Sequence, residues 1–296
     1  MKKIFLTGST GLLGLSLYNE LKKKFKILRV SNNKKYNLNK SIKYLPFSSK
    51  QKIIKFIKKE GVPDFFIHCG WGKMDEPSSD YHIKENVKFS KNLIDCFFSF
   101  GLEKFVFIGT INEYGDNLGA VRENKKPKGK LRNYEKGKII VGAHGKFTAK
   151  KLNKKFIHLR IANLFGPITK KKSLIYSMHA SNKKNKNVEV SALKFYRDYL
   201  HVGTVAKYIF KLLLNCNKSC IVNVGSGKQV LMRNFVKLYW KILNKKKNEI
   251  KFLKDANLEI KPGFFMDISK LKRITSVKLK RSLLTEIKTN IKQFKI

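Results

Sequence analysis

Short apolar runs alternate along this chain with longer segments in which apolar residues return every three or four positions. The first run, Lys3 to Thr7, is followed by Leu12, Leu13, Leu17 and Leu21, which share one face of a helix. Runs at Phe25 to Val30, Asp64 to Cys69, Lys104 to Gly109 and Phe156 to Ile161 predict further strands, and Ser49 to Lys59, Ser79 to Phe100 and Tyr134 to Leu152 predict the helices between them. Strands and helices in strict succession imply parallel strands joined by right-handed crossovers, so the expected fold class is α/β with a doubly wound parallel sheet. After Pro167 the texture changes to a polar stretch from Lys170 to Asn187, a short strand near Val188, a helix from Val202 to Leu214 and a strand from Ile221 to Val224. The expected division is a first domain over residues 1–167, to which 191–227 add a strand and a helix, and a smaller C-terminal α/β lobe over 168–296.

A chain of 296 residues can bury a core large enough for such a domain and its lobe. Its apolar runs, such as Leu212 to Leu214 and Cys96 to Phe98, are far too short to span a bilayer, and the first strand starts too near Met1 for a cleavable leader. The expected location is therefore the cytoplasm. Cys69, Cys96, Cys216 and Cys220 have neither CxxC spacing nor clustered histidines, which suits reduced structural thiols and gives no reason to expect a metal. A formal charge of +45 would favour a polyanion, yet the lysines are spread over the whole chain rather than gathered in a tail. The charge is read as solvated surface that draws in phosphate-bearing small molecules, with no specific nucleic acid as partner.

Two motifs carry chemistry. Thr7-Gly8-Ser9-Thr10-Gly11-Leu12-Leu13-Gly14 stands between the first strand and the first helix. Glycines there let backbone N–H groups approach a pyrophosphate, and the helix points its positive end at it. The first domain is thus expected to bind a dinucleotide. Tyr134 and Lys138 lie one helical turn apart and share a face, so they can act on one small volume. A free phenol titrates near pH 10, and a lysine ammonium with a cationic cofactor ring would lower that value.

With further segments in the same order, these motifs resemble the extended short-chain dehydrogenase/reductase family, often called NAD-dependent epimerase/dehydratases, which act on nucleotide sugars. The further segments are His68-Cys69-Gly70, Asn86 in Asn-Val-x-x-Ser-x-Asn-Leu, Gly109-Thr110-x-x-Glu113-Tyr114-Gly115, the run from Leu159 to Pro167, Arg197-Asp198-Tyr199-Leu200-His201-Val202, and Asn223-Val224-Gly225-Ser226-Gly227. The resemblance implies a Rossmann-like sheet and a catalytic set of Thr110, Tyr134 and Lys138. It implies cofactor contacts from Gly8, Thr10, Gly11, Leu12, Leu13, Gly14, Ser31, Asn32, Lys34, Cys69, Gly70 and Lys138. Asn163 and Arg197 would hold the sugar diphosphate, and Asn86 would tie loops together. The blander alternatives are a strand-end Thr110, a helix-surface Tyr134, an Arg197 paired with Asp198, and an Asn163 that steadies the turn before Gly166-Pro167. Family members often pair as homodimers through the helices that here include Ser79 to Phe100 and Tyr134 to Leu152.

Two departures narrow the reading. Arg29-Val30-Ser31-Asn32-Asn33-Lys34-Lys35 offers no acid for an adenosine ribose, which favours NADP over NAD. Ile111-Asn112 follow Thr110 where the family's 4,6-dehydratases place an acidic pair, which argues against dehydration. What remains is redox chemistry on a nucleoside-diphosphate hexose, of the kind that feeds polysaccharide biosynthesis. A 4-keto(-6-deoxy)hexose reductase with Tyr134 as proton donor is favoured. The alternative is a 4-epimerase with tightly bound NAD, and, from another class, a non-enzymatic NAD(P)-sensing or nucleic-acid-binding protein.

Overall fold

The computed structural model describes residues 1–37, 41–167, 173–244, 249–253, 259–276 and 282–294. The chain runs through β1 (Lys3–Thr7), α1 (Leu12–Leu21), β2 (Lys26–Ser31), β3 (Lys43–Tyr44), α2 (Lys50–Glu60), β4 (Phe65–His68), α3 (Val87–Ser99), β5 (Lys104–Ile108), β6 (Gly119–Val121), α4 (Asn133–Lys151) and β7 (Lys155–Ile161). It continues through β8 (Asn163–Phe165), α5 (Leu174–Lys183), β9 (Val188–Val190), β10 (Tyr196–Arg197), β11 (Tyr199–His201), α6 (Val202–Asn215), β12 (Cys220–Val224), β13 (Val230–Leu231), α7 (Met232–Leu243), β14 (Ile250–Phe252), β15 (Phe264–Met266), α8 (Ser269–Thr275) and α9 (Leu283–Gln293).

Seven parallel strands form the central sheet in the order β12-β7-β5-β4-β1-β2-β3. From β1 the chain moves outward to β2 and β3, then returns to β4 on the other side. The carboxyl ends of β1 and β4 therefore open a crevice at the switch of strand order, where ligands bind in such sheets. Alternate side chains of β1 point to opposite faces, and both faces are buried. Ile4 and Leu6 pack with Leu17 and Leu21 of α1 and Ile209 and Leu213 of α6. Phe5 packs with Phe66, Phe97 and Phe105 beneath α2 and α3, and stacked rings continue this layer from Phe66 to Phe105 to Phe156. Continuous apolar strands are what a sheet covered on both faces requires. β12 pairs with β7 from Cys220↔Ile157 to Val224↔Ile161, and α6 lies on α1, so the chain returns to the first sheet after β9.

The remaining elements gather around Phe165, Met178, Phe235, Tyr239 and Trp240, with β9 and β14 paired in parallel. Two sequence expectations change here. The polar stretch from Lys170 to Asn187 contains α5, because the Ser173 hydroxyl accepts from the Tyr176 N–H and Met178 and His179 are buried. A cap and a few apolar residues suffice where a neighbouring core receives them. Residues 168–172 lie outside the described residues. The single helix expected over Ser79 to Phe100 opens with a π-helical turn, His82–Asn86, before α3. Such turns commonly serve sites, and this one brings His82 and Asn86 inward. Among the described residues no helix is long and apolar enough to cross a membrane.

Candidate active site

After β1 the backbone turns at Gly8, whose φ is 68°, and the Gly11 N–H bonds back to the Gly8 carbonyl at 3.0 Å. A Cβ on Gly14 would lie 2.0 Å from that carbonyl oxygen, and a Cβ on Gly8 would lie 2.7 Å from the Gly70 nitrogen. Only glycine lets the loop, the first turn of α1 and the loop after β4 meet this closely. The first turn of α1 has neither an acid nor a side-chain cap, so its backbone N–H groups face the crevice without a protein anion. Gly8, Gly11, Gly14 and Gly70 thus meet at one turn, with Thr10 in the loop and Leu12 and Leu13 opening α1, and backbone donors in such a turn could hold a pyrophosphate. The cradle is held from below. The Gly70 N–H donates to Thr7 Oγ1 at 3.0 Å, Thr7 Oγ1 meets His68 Nδ1 at 2.7 Å, His68 Nε2 meets Ser90 Oγ at 3.0 Å, and Ser90 donates to the Asn86 carbonyl at 2.7 Å. These partners assign the neutral Nε2–H tautomer to His68. Cys69 sits beside this chain, its thiol pushed up to about 12 by burial.

At the end of β2, Asn32 and Lys34 are exposed, and the Ser31 hydroxyl accepts from the Asn33 N–H. The sequence reading passed over Arg29, whose Nε donates to Ser9 Oγ at 3.0 Å and whose guanidinium stacks 4.7 Å over the Tyr18 ring. It stands between the glycine loop and the open end of the strand. Its signal was visible as a cation between the apolar Leu28 and Val30 of β2.

Across the crevice, α4 starts against the loop after β4. The Tyr134 N–H donates to the Pro77 carbonyl at 2.8 Å, and the Asn133 side chain donates to the Ser78 carbonyl at 3.0 Å. Thr110, just beyond β5, lies beside Tyr134, and its hydroxyl favours the ionised form of the phenol. Lys138 is buried, donates to the Ile108 carbonyl at 2.7 Å, and has its ammonium 3.8 Å over the Trp71 ring and 5.9 Å from the Tyr134 ring centre. Thr110, Tyr134 and Lys138 therefore come together. Burial pushes Lys138 down to about 7. It pushes Tyr134 up to about 12, with Glu113 and Glu135 adding to the rise and the Thr110 hydroxyl opposing it. In the protein by itself desolvation outweighs the opposing Thr110 contribution and favours the protonated phenol, while the lowering expected beside a cationic cofactor ring belongs to the loaded enzyme. The sequence reading also missed Trp71 and His82. The Trp71 indole N–H donates to His82 Nδ1 at 3.0 Å, and the His82 ring lies 5.4 Å from that of Tyr134. Asn86 clamps Gly72 by both amide atoms at 3.0 Å, the loop-tying role expected of it.

A cleft of about 310 Å³ opens beside the start of α4, lined by Asn112, Asp116, Arg132, Asn163, Arg197 and Phe264 among others. Arg197 lines this cleft and stacks 4.7 Å over Phe195. Asp198 is not its partner, because the buried Asp198 carboxylate accepts from Ser226 N and Oγ, Gly227 N and Met266 N. Asn163 lines the cleft while its amide donates to the Asp198 carbonyl at 3.2 Å, so the turn-steadying contact is present as well. Among the described residues no three metal-binding side chains cluster. The Cys216 and Cys220 sulfurs lie 3.0 Å apart as free thiols.

A dinucleotide cradle at the switch of strand order, with a threonine, tyrosine and lysine beside it, defines a short-chain dehydrogenase/reductase of the extended kind. The chain belongs to the NAD-dependent epimerase/dehydratase family, whose model matches residues 4–225. It is an enzyme that works with a nicotinamide dinucleotide, and the non-enzymatic alternative falls. The chain is 25% identical over 243 residues to the ADP-L-glycero-D-manno-heptose-6-epimerase of Brachyspira hyodysenteriae, covering 76% of each chain. It is 27% identical over 174 residues to the dTDP-4-dehydro-6-deoxyglucose reductase of Escherichia coli, covering 56% of this chain and 52% of that one. The UDP-glucose 4-epimerase of Thermotoga maritima, solved with UDP-glucose, superposes with a TM-score of 0.81 at 20% identity and 98% coverage of both chains.

Proposed function

We propose that this enzyme reduces the 4-keto group of a nucleoside-diphosphate(-6-deoxy)hexose, with NADP favoured over NAD. The observation that carries the reading is the placement of Tyr134 beside Thr110 and within 5.9 Å, ring centre to ammonium, of the buried Lys138. The nicotinamide, when bound, supplies hydride to the sugar carbon. Tyr134 gives its proton to the carbonyl oxygen as that oxygen gains charge, and Thr110 holds the oxygen and the phenol in line. Lys138 offers its ammonium to the phenolate left behind and to the nicotinamide ribose. Gly8, Thr10, Gly11, Leu12, Leu13, Gly14, Cys69 and Gly70 would line the dinucleotide. Ser31, Asn32, Lys34 and Arg29 would meet a 2′-phosphate, a group suited to cations and hydroxyls. Asn163 and Arg197 would hold the sugar diphosphate in the cleft, where a guanidinium can grip it by two bonds. Residues 168–296, apart from those that return to the sheet, would form the substrate lobe.

Purified protein mixed with a nucleoside-diphosphate-4-keto-6-deoxyhexose is expected to consume NADPH stoichiometrically, and faster than NADH, as followed by nicotinamide absorbance. The epimerase relatives favour a second reading, 4-epimerisation with retained NAD. No net oxidation, together with interconversion of the C4 epimers of a nucleotide hexose, would replace the first reading by the second.

The chain is further proposed to pair with a second copy along α3 and α4. Ile140 and Phe147, seven residues apart on one face of α4, are 37% and 69% exposed, an unusual display for a helix otherwise packed on the sheet. Phe147→Glu is expected to halve the mass measured by light scattering, while an unchanged mass would remove this face as the interface.

A further inference from the structure

Glu113, in the turn after β5, has no accessible surface, and both of its carboxylate oxygens are used. One accepts from the Thr110 N–H at 2.9 Å and from His158 Nε2 at 3.0 Å, and the other accepts from Arg160 Nε at 2.9 Å. The room for this cluster is made by glycines. A Cβ on Gly109 would lie 2.3 Å from Glu113 Oε1 and 2.3 Å from His158 Nε2, and one on Gly142, a turn beyond Lys138 on α4, would lie 2.4 Å from His158 Nδ1. A buried ion pair is not a cheap way to hold a fold together, since apolar side chains of equal volume often do as well. This one is anchored directly to the Thr110 backbone, and Glu113 is not among the residues that line the cleft.

We propose that Glu113 is the positioning residue of the redox site: its carboxylate fixes the Thr110 backbone so that the Thr110 hydroxyl meets Tyr134, and its charge is the counterion of the buried Lys138 ammonium. The proposal rests on the reading of Thr110, Tyr134 and Lys138 as the reacting set. The groups facing Lys138 leave that role to Glu113. From β4 and its loop come His68, kept neutral by burial, Cys69, kept as a thiol by burial, and the ring of Trp71, and from β5 comes the ring of Phe107. From its own helix comes Tyr134, kept as a phenol. Glu113 in turn is faced from β7 by Arg160 and His158, which with the Thr110 N–H hold it ionised against the penalty of burial. Its field favours the charged form of Lys138.

Trp71 supplies a direct readout, because the Lys138 ammonium lies over its ring. In the full chain carrying Trp240→Phe, which leaves Trp71 as the sole indole, Trp71 emission followed against pH is expected to show a transition near the Lys138 value of about 7. Lys138→Met should remove that transition. Glu113→Gln is expected to move the midpoint down by about one unit or more, as loss of a close opposite charge does. An unmoved midpoint in folded Glu113→Gln overturns the counterion role. Glu113→Asp keeps the charge but draws the carboxylate back from Thr110, and serves also if Glu113→Gln fails to fold. It should keep the midpoint and lose about tenfold or more in kcat with little change in KM; unchanged kcat overturns the positioning role. The emission midpoint needs no substrate, so a wild-type protein that turns over no keto sugar would defeat the reductase reading without touching this one.

Discussion

Replacing Tyr134 by Phe is expected to lower turnover of the keto sugar by about 10²- to 10⁴-fold, the usual worth of a positioned proton donor. The loss should fall on kcat rather than on nucleotide affinity, since the phenol hydroxyl acts on the reacting oxygen and the cradle for the pyrophosphate is built elsewhere, from Gly8, Gly14 and the start of α1. The fold should be unaffected. The phenylalanine ring would keep the edge contacts of Tyr134 with Trp71 and His82, at 6.3 and 5.4 Å, and the N–H bond to Pro77 belongs to the backbone. Single-turnover oxidation of NADPH in the two proteins, with circular dichroism as the control for folding, measures the effect. Comparable rates would mean that another group protonates the sugar oxygen.

The second large effect is loss of stability in acid, with His68 as its source. Burial holds this imidazole at about 3, against an ordinary value of 6.5, and the nearby Lys138 charge adds to the depression. Between those two values the unfolded chain binds a proton that the folded chain does not. Stability is therefore complete above about pH 6.5 and is lost as pH falls towards 3, by up to roughly 5 kcal/mol across the whole window. The hydrogen-bond chain explains why protonation is unwelcome: Nδ1 already receives the Thr7 hydroxyl, which in turn receives the Gly70 N–H. A charged imidazole would need Thr7 to turn its hydrogen away and would loosen the loop that carries Gly70 over the cradle. Thermal midpoints measured across this range should fall more steeply for the wild type than for His68→Gln, which has no proton to take up. Parallel curves would place the acid sensitivity in other groups. Lys138 works in the same direction at higher pH: its folded value lies below its unfolded one, so its burial penalty is full below about 7 and is relieved as pH rises towards 10.5.

Much of this protein was determined by local sequence. The strand from Lys3 to Thr7 and the near agreement of the other sheet strands followed from largely apolar runs, because a strand buried on both faces admits a polar residue only where a partner is supplied. The glycine loop was legible because its spacing states a steric need, and the tyrosine and lysine because four residues make a helical turn. The parts that tertiary structure decided are those in which distant segments supply each other's partners. Glu113, His158 and Arg160 are separated by up to 47 residues and become one cluster only when β5 and β7 lie side by side. Trp71 finds His82 through a π-helical turn that no periodicity announced, and Arg29 finds Ser9 across the β1–β2 pair. The state of Tyr134 was decided the same way: sequence could name the lysine near it, but the desolvation that raises the phenol comes only from the packing of the folded molecule around it.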